Sequence, residues 1–151
     1  MEKWEIVLDN FLEEYINEDY VIGAVLCGSY ATGNNTLNSD IDVHIITKNT
    51  NWKERGNKII DDMMVEYFIN PISELYKYME EDHIRRKRMS TANMLGYGKI
   101  ICDKTGDILK LKEDALEYYK KEFMKPDEKE IMLNNYMCWD LMDELKDKII
   151  N

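Results

Sequence analysis

GSYATGNNTLNSDIDVH, residues Gly28 to His44, joins two segments of strand character through a turn and a loop. Upstream, Val21 to Cys27 (VIGAVLC) is an apolar run of strand length, stopped by Gly28-Ser29, and Gly33-Asn34-Asn35 is turn chemistry. Downstream, Asp40-Ile41-Asp42-Val43-His44-Ile45 alternates strictly. A period of two puts Asp40, Asp42 and His44 on one face of a strand and Ile41, Val43 and Ile45 on the other. Neighbouring carboxylates repel, and solvent, a cation or protonation must relieve that repulsion. A hard divalent ion such as Mg²⁺ takes a few such oxygens together with water and phosphate oxygens. The Gly-Ser turn lies where backbone N–H groups and a hydroxyl can hold a phosphate.

Gly28-Ser29, ten intervening residues and then Asp40-Ile41-Asp42 between apolar neighbours resembles the signature of the DNA polymerase β-type nucleotidyltransferase superfamily. The longer run GSYATGNNTLNSDIDVHIIT is most similar to small bacterial nucleotidyltransferases, including the aminoglycoside adenylyltransferases. This resemblance implies an α+β fold, a small mixed β-sheet with flanking helices, followed by a C-terminal helical segment. It also implies Mg²⁺-dependent transfer of a nucleoside monophosphate, AMP from ATP, to a hydroxyl of a small molecule such as an aminoglycoside-like antibiotic. In that reading Asp40 and Asp42 ligate Mg²⁺, and Gly28 and Ser29 hold the β- and γ-phosphates of the nucleotide. One departure stands out: many small members carry an Arg shortly after the Gly-Ser turn, where this chain has Thr32. The Arg form is frequent among toxin–antitoxin nucleotidyltransferases, so Thr32 argues against that branch. An antitoxin-type module that binds or modifies a partner protein remains the alternative.

Met63 to Ile69 (MMVEYFI) is apolar except for Glu66. Alternation groups Glu66 with Met64 and Phe68, opposite Val65 and Tyr67. A lone carboxylate in such a strand is costly unless something pairs with it, and an ion pair to an Arg or Lys would suffice. The resemblance gives Glu66 a further meaning, since an acid on a later strand supplies the third carboxylate of the family site. Glu66 would then complete the metal site, deprotonate the acceptor hydroxyl, or do both. His44 shares the carboxylate face one step further along and reads as a supporting residue rather than a ligand.

The chain has 151 residues, 44% hydrophobic and 33% charged, with a formal net charge of −10. That excess of acid argues against a sequence-independent nucleic-acid binder, whose affinity comes from Lys and Arg neutralising phosphates; it permits a cationic acceptor. Cys27, Cys102 and Cys138 sit in apolar runs without metal-like spacing and read as free core thiols. With a polar start and no run of membrane-spanning length, the expected location is cytoplasmic.

Glu2 to Asn17 carries Trp4, Val7, Leu8, Phe11, Leu12 and Tyr15 at helical spacing. Arg55-Gly56-Asn57 reads as a break, and Lys58 to Ile60 and Met63 to Ile69 as two strands around Asp61-Asp62, a hairpin or one bent strand. Asn70 as N-cap and Pro71 as first helical residue open the next helix, with Ile72, Leu75, Tyr76, Met79 and His83 as its apolar stripe. Of Arg85-Arg86-Lys87-Arg88, spacing does not tell which, if any, faces a phosphate. A short helix over Ser90 to Gly98, a strand over Lys99 to Cys102 and a helix over Ile108 to Phe123 capped by Asp107 follow. Asp127 with Glu130 starts the last helix, which runs to about Ile149.

A shift to purely helical composition near Gly106 divides the chain into a catalytic domain, residues 1–105, and a helical extension, residues 106–151. The last helix carries two apolar stripes: Ile131, Cys138, Leu141, Met142, Leu145 and Ile149 make one, and Met132, Tyr136 and Trp139 the other. Two apolar faces need two partners. The preceding helix offers one, and the second face predicts a homodimer through the C-terminal helices. A short natural form, a truncated chain and a subunit of an oligomer all fit this pattern.

Overall fold

A computed structural model describes residues 1–150, with side chains to Ile149. The elements run α1 (Lys3–Glu13), β1 (Val21–Cys27), α2 (Gly28–Thr32), β2 (Ile41–Thr47), β3 (Glu54–Ile60), β4 (Met63–Pro71), α3 (Ile72–Ile84), α4 (Ser90–Tyr97), β5 (Lys99–Asp103), α5 (Asp107–Tyr118) and α6 (Glu128–Ile150). Five strands form one mixed sheet in the order β3-β4-β2-β1-β5, in which β2 and β4 are parallel and the other pairs antiparallel. The α+β architecture with a trailing helical segment is the one anticipated.

The alternation of β2 and β4 sorts two cores. Ile41, Val43, Ile45, Val65, Tyr67 and Ile69 face α1, whose Val7, Leu8, Phe11 and Leu12 are buried against them. On the other side Ile22, Val25, Cys27 and Ile46 pack under Leu75 and Met79 of α3, Ala92 and Leu95 of α4, and Ile108, Leu111 and Ala115 of α5. That second face also carries Asp42, His44 and Glu66, so the polar residues emerge where the helical cover ends.

Several boundaries differ from the sequence-based expectations. α1 stops at Glu13, short of Asn17. Arg55-Gly56-Asn57 is no break but lies within β3, at the sheet's edge, where a glycine is tolerated. Gly56 also has a specific reason, because the Tyr67 ring lies where its Cβ would be. β3 and β4 form a true hairpin, and Asp61 and Asp62, both at positive φ (48° and 63°), are its two turn residues. Asn70 and Pro71 end β4, and Pro71 rather than Asn70 is the N-cap of α3. Asp107 is the first residue of α5 rather than its cap. Asp103 does the capping, its carboxylate accepting bonds from the backbone N–H groups of Gly106 at 2.8 Å and Leu109 at 3.0 Å. α5 ends at Tyr118, not Phe123.

The largest correction concerns α6. The expected capping box is present: Glu130 N–H donates to Asp127 Oδ1 (2.8 Å) and Asp127 N–H to Glu130 Oε2 (3.2 Å). Yet α6 does not lay a stripe on α5. Every residue of α6 from Glu128 to Ile149 is exposed except Asp140, which is half-buried. Cys138 is therefore exposed rather than a core thiol, while Cys27 is buried and Cys102 half-buried. Among the described residues, no helix is long and apolar enough to cross a membrane.

Candidate active site

Three adjacent strands bring the site together. Cys27 at the end of β1 pairs with Asp42 on β2, and Asp42 pairs with Glu66 on β4 in parallel register. The two carboxylates thus sit side by side on the same face, one strand spacing apart. Gly28 begins α2 directly beyond Cys27 with φ +65°, a left-handed conformation that glycine adopts without penalty. A side chain there would collide with Asp42 Oδ2. Ser29, half-buried, is the next residue of the same turn. Thr32 closes that turn from its far end, its hydroxyl reaching the carbonyls of Gly28 (3.2 Å) and Ser29 (3.3 Å) and accepting from Asn34 Nδ2 (3.2 Å). Thr32 thereby braces its own loop.

Asp40 lies one residue before β2 and is exposed, so it is not a strand residue as the alternation implied. Its charge still reaches Asp42. Burial pushes the Asp42 carboxyl up to about 6, and repulsion from Glu66, proton sharing with Glu66 and the Asp40 charge add to the effect. Glu66 has the ion-pair partner that its strand position demands: Arg55 on β3 donates to Glu66 Oε1 through Nη2 (2.6 Å) and Nε (3.2 Å). The Arg55 guanidinium also lies 4.8 Å from the centre of the Phe68 ring.

Among the described residues, no three His, Cys, Asp or Glu side chains come together closely enough to hold a metal ion by themselves. Asp42 and Glu66 do present paired hard oxygens whose mutual repulsion a cation would relieve, with Asp40 on the solvent side. This donor set suits an ion that takes its other ligands from water and phosphate.

His44 follows Asp42 on the same face. It is 5% exposed, stacks on Phe68 at 4.7 Å between ring centres, and neither ring nitrogen has a hydrogen-bond partner. Burial lowers its basicity to about 4, so the ring is neutral at neutral pH. His44 and Phe68 line a cavity of about 480 Å³ between β3, β4 and the α3–α4 connection, and Lys53, Arg55, Arg86 and Arg88 line it as well. Within the run Arg85-Arg86-Lys87-Arg88, the second and fourth residues are thus the ones that face inward. Asp82 holds both. Its side chain, 2% exposed, accepts from Arg86 Nη1 (3.4 Å) and Arg88 Nε (3.1 Å) and also binds Thr91 N–H (3.0 Å) and hydroxyl (2.8 Å) at the start of α4. Burial alone would raise the Asp82 carboxyl, but the Thr91 and Arg88 contacts outweigh it and hold the group below the usual range.

Neither Asp82 nor Arg55 was singled out from the sequence. Glu80-Glu81-Asp82 looks like a solvated acidic face, yet Leu75, Met79 and Asp82 follow helical spacing, and that spacing was the available signal. No comparable pattern marks Arg55, whose meaning depends on the pairing of β3 with β4.

Residues 8–137 match the family model described as a nucleotidyltransferase domain. A solved structure of a nucleotidyltransferase-like protein from Exiguobacterium sibiricum is similar in fold, with a TM-score of 0.57 at 14% identity. The likeness covers 75% of this chain and 38% of that one, so this chain spans well under half the length of that protein. No curated protein matches the chain.

Proposed function

The chain belongs to the nucleotidyltransferase domain family, and from that premise we propose that it transfers a nucleoside monophosphate, AMP from ATP, to a hydroxyl of a small molecule. The observation that carries this reading is the row Cys27–Asp42–Glu66 across three strands, with Gly28 directly beyond Cys27 against Asp42 and Asp40 exposed just before β2. In the reaction the acceptor oxygen forms a bond to the α-phosphorus as the bond from that phosphorus to the pyrophosphate oxygen breaks. The acceptor proton leaves to Glu66 or to water. Catalysis of this kind is mostly positioning and neutralisation of phosphate charge.

Asp40, Asp42 and Glu66 would hold Mg²⁺, which when bound supplies positive charge to the phosphate oxygens. Gly28 and Ser29 would hold the β- and γ-phosphates, since the absence of a side chain at residue 28 leaves its backbone open beside Asp42. Arg55 fixes the Glu66 carboxylate against Asp42. Resemblance and the chain's net charge of −10 extend the acceptor to aminoglycoside-like antibiotics. The test is pyrophosphate release from ATP and Mg²⁺ across a panel of hydroxyl compounds. Release that depends on one acceptor class supports the reading, and none with any class opposes it.

The exposed α6 favours a second reading, in which the domain binds or modifies a partner protein. Met132, Tyr136 and Trp139 are 71%, 59% and 59% exposed, and aromatic residues with Met are enriched in interface cores. The same surface supports a homodimer through α6.

A further inference from the structure

The cavity beside the carboxylates has properties that the transfer of a nucleotide to an unspecified hydroxyl does not explain. Its floor is the His44–Phe68 stack. A neutral imidazole carries one donor and one acceptor, and burying both without a partner costs on the order of 1–3 kcal/mol. His44 leaves both unpaired at the edge of an open space. Above that floor stand four cations, Lys53, Arg55, Arg86 and Arg88; Lys53 is paired with Glu74 and Arg55 with Glu66, whereas Arg86 and Arg88 share a single carboxylate, Asp82. Three acids share the wall, but two are engaged: Glu54 accepts from the Tyr67 hydroxyl, and Asp82 is buried under four hydrogen bonds. Asp82 uses one N–H of Arg86 and one of Arg88. Each guanidinium has five, so the rest are free to meet a ligand while Asp82 fixes the orientation.

The position of this wall decides which reactant it serves. His44 and Phe68 lie two residues beyond Asp42 and Glu66 on the same strands, roughly 7 Å along them. Gly28 and Ser29 lie on the opposite, β1 side of Asp42. In-line displacement at phosphorus requires the leaving pyrophosphate and the attacking oxygen to occupy opposite sides of the reacting atom. With the donor's phosphates at the β1 side, the cavity on the β4 and β3 side receives the acceptor. A volume of about 480 Å³ suits a small molecule.

Resting on the transferase reading above, we infer that the acceptor is an anionic small molecule, bearing a phosphate or carboxylate that Arg86 and Arg88 hold above the His44–Phe68 stack. This narrows the acceptor away from the polycationic aminoglycosides that resemblance and net charge alone would favour. The donor nucleotide carries phosphates too, and its tail is the other source of the same chemistry.

Inorganic phosphate is the probe, titrated with and without saturating Mg²⁺ and the α,β-methylene analogue of ATP. The readout is the imidazole NMR signals of His44 and His83, the two histidines of the chain. The expected result is that phosphate shifts His44 and not His83, and still does so with the analogue bound. Arg86→Gln/Arg88→Gln should weaken phosphate about tenfold or more, the scale of losing a charge-assisted hydrogen bond, and leave the analogue's affinity within about twofold. Arg86→Gln alone, which keeps the Arg88–Asp82 contact, gives a second comparison if the double variant is unstable and should weaken phosphate in the same direction. Competition between phosphate and the analogue, or loss of analogue affinity in the variants, would assign the wall to the donor and overturn the inference. So would an unmoved His44 signal, or transfer to aminoglycosides but not to sugar phosphates. Failure of the wild type to bind the analogue with Mg²⁺ would instead remove the transferase reading itself.

Discussion

Gly28 and Asp42 are in such close apposition that a single methyl group on residue 28 would occupy the space of the Asp42 carboxylate oxygen. This contact ties the end of β1 to the start of β2 and sets the mouth of the site. Gly28→Ala meets two obstacles, that collision and φ +65°. The expected cost is on the order of 1–3 kcal/mol of stability, with a larger proportional loss of nucleotide binding. Thermal unfolding and calorimetric titration check the two separately. A variant with wild-type nucleotide affinity would show that the apposition has no bearing on the site.

Asp42 predicts an inverted pH dependence. Its folded-state pKa is raised to about 6, above the ordinary carboxylate value of about 4. The folded protein therefore favours the protonated group, and this stabilisation is lost as pH rises from about 4 through about 6. Asp42→Asn removes the loss. In chelator, the variant should unfold at a higher temperature than wild type near pH 8, by roughly 2–6 °C, and at about the same temperature near pH 4. Mg²⁺ should narrow the gap by stabilising wild type alone. A variant less stable than wild type at pH 8 would show that Asp42 is favourably paired rather than crowded.

Glu66 has two partners with different consequences. Its pair with Arg55, whose side chain is 68% exposed, is worth at most about 1 kcal/mol. Glu66→Gln should therefore melt close to wild type. If Glu66 takes the acceptor proton, turnover should fall about 10²–10⁴-fold with nucleotide affinity little changed; as a metal ligand it should take both down. A variant that loses only thermal stability would leave the ion pair as its whole contribution.

The exposed face of α6 predicts assembly. Light scattering at micromolar protein should give the mass of a dimer, and Trp139 fluorescence should shift to the red on dilution as the interface opens. A monomer at all concentrations, with Trp139 solvent-exposed throughout, would contradict the dimer.

The legible parts of this molecule are those written in local sequence. The alternation of Ile41, Val43 and Ile45 sets the buried face of β2, and the Gly-Ser turn sets the end of β1. Asp127 with Glu130 marks the start of α6. What stayed hidden depends on how one element is placed against the next. Arg55 looked like part of a break because Gly56 is a poor strand residue, and only the pairing of β3 with β4 supplies its place beside Glu66. Asp82 went unnoticed because its partners lie in the segments that follow α3, Arg86 and Arg88 in the connection and Thr91 in α4. α6 was expected to cover α5 because amphipathic helices usually find a neighbour, but a stripe specifies only that a partner is needed, not where it lies.

The central claim is that the carboxylates beside Gly28 form a metal-dependent nucleotide site, and calorimetric titration of Mg²⁺ and the ATP analogue into wild type, Asp40→Asn and Asp42→Asn tests it without knowledge of the acceptor. The account predicts Mg²⁺-dependent binding to wild type and its loss in both variants, each still folded by thermal unfolding. Wild-type affinity in both variants, or binding indifferent to Mg²⁺, would contradict it.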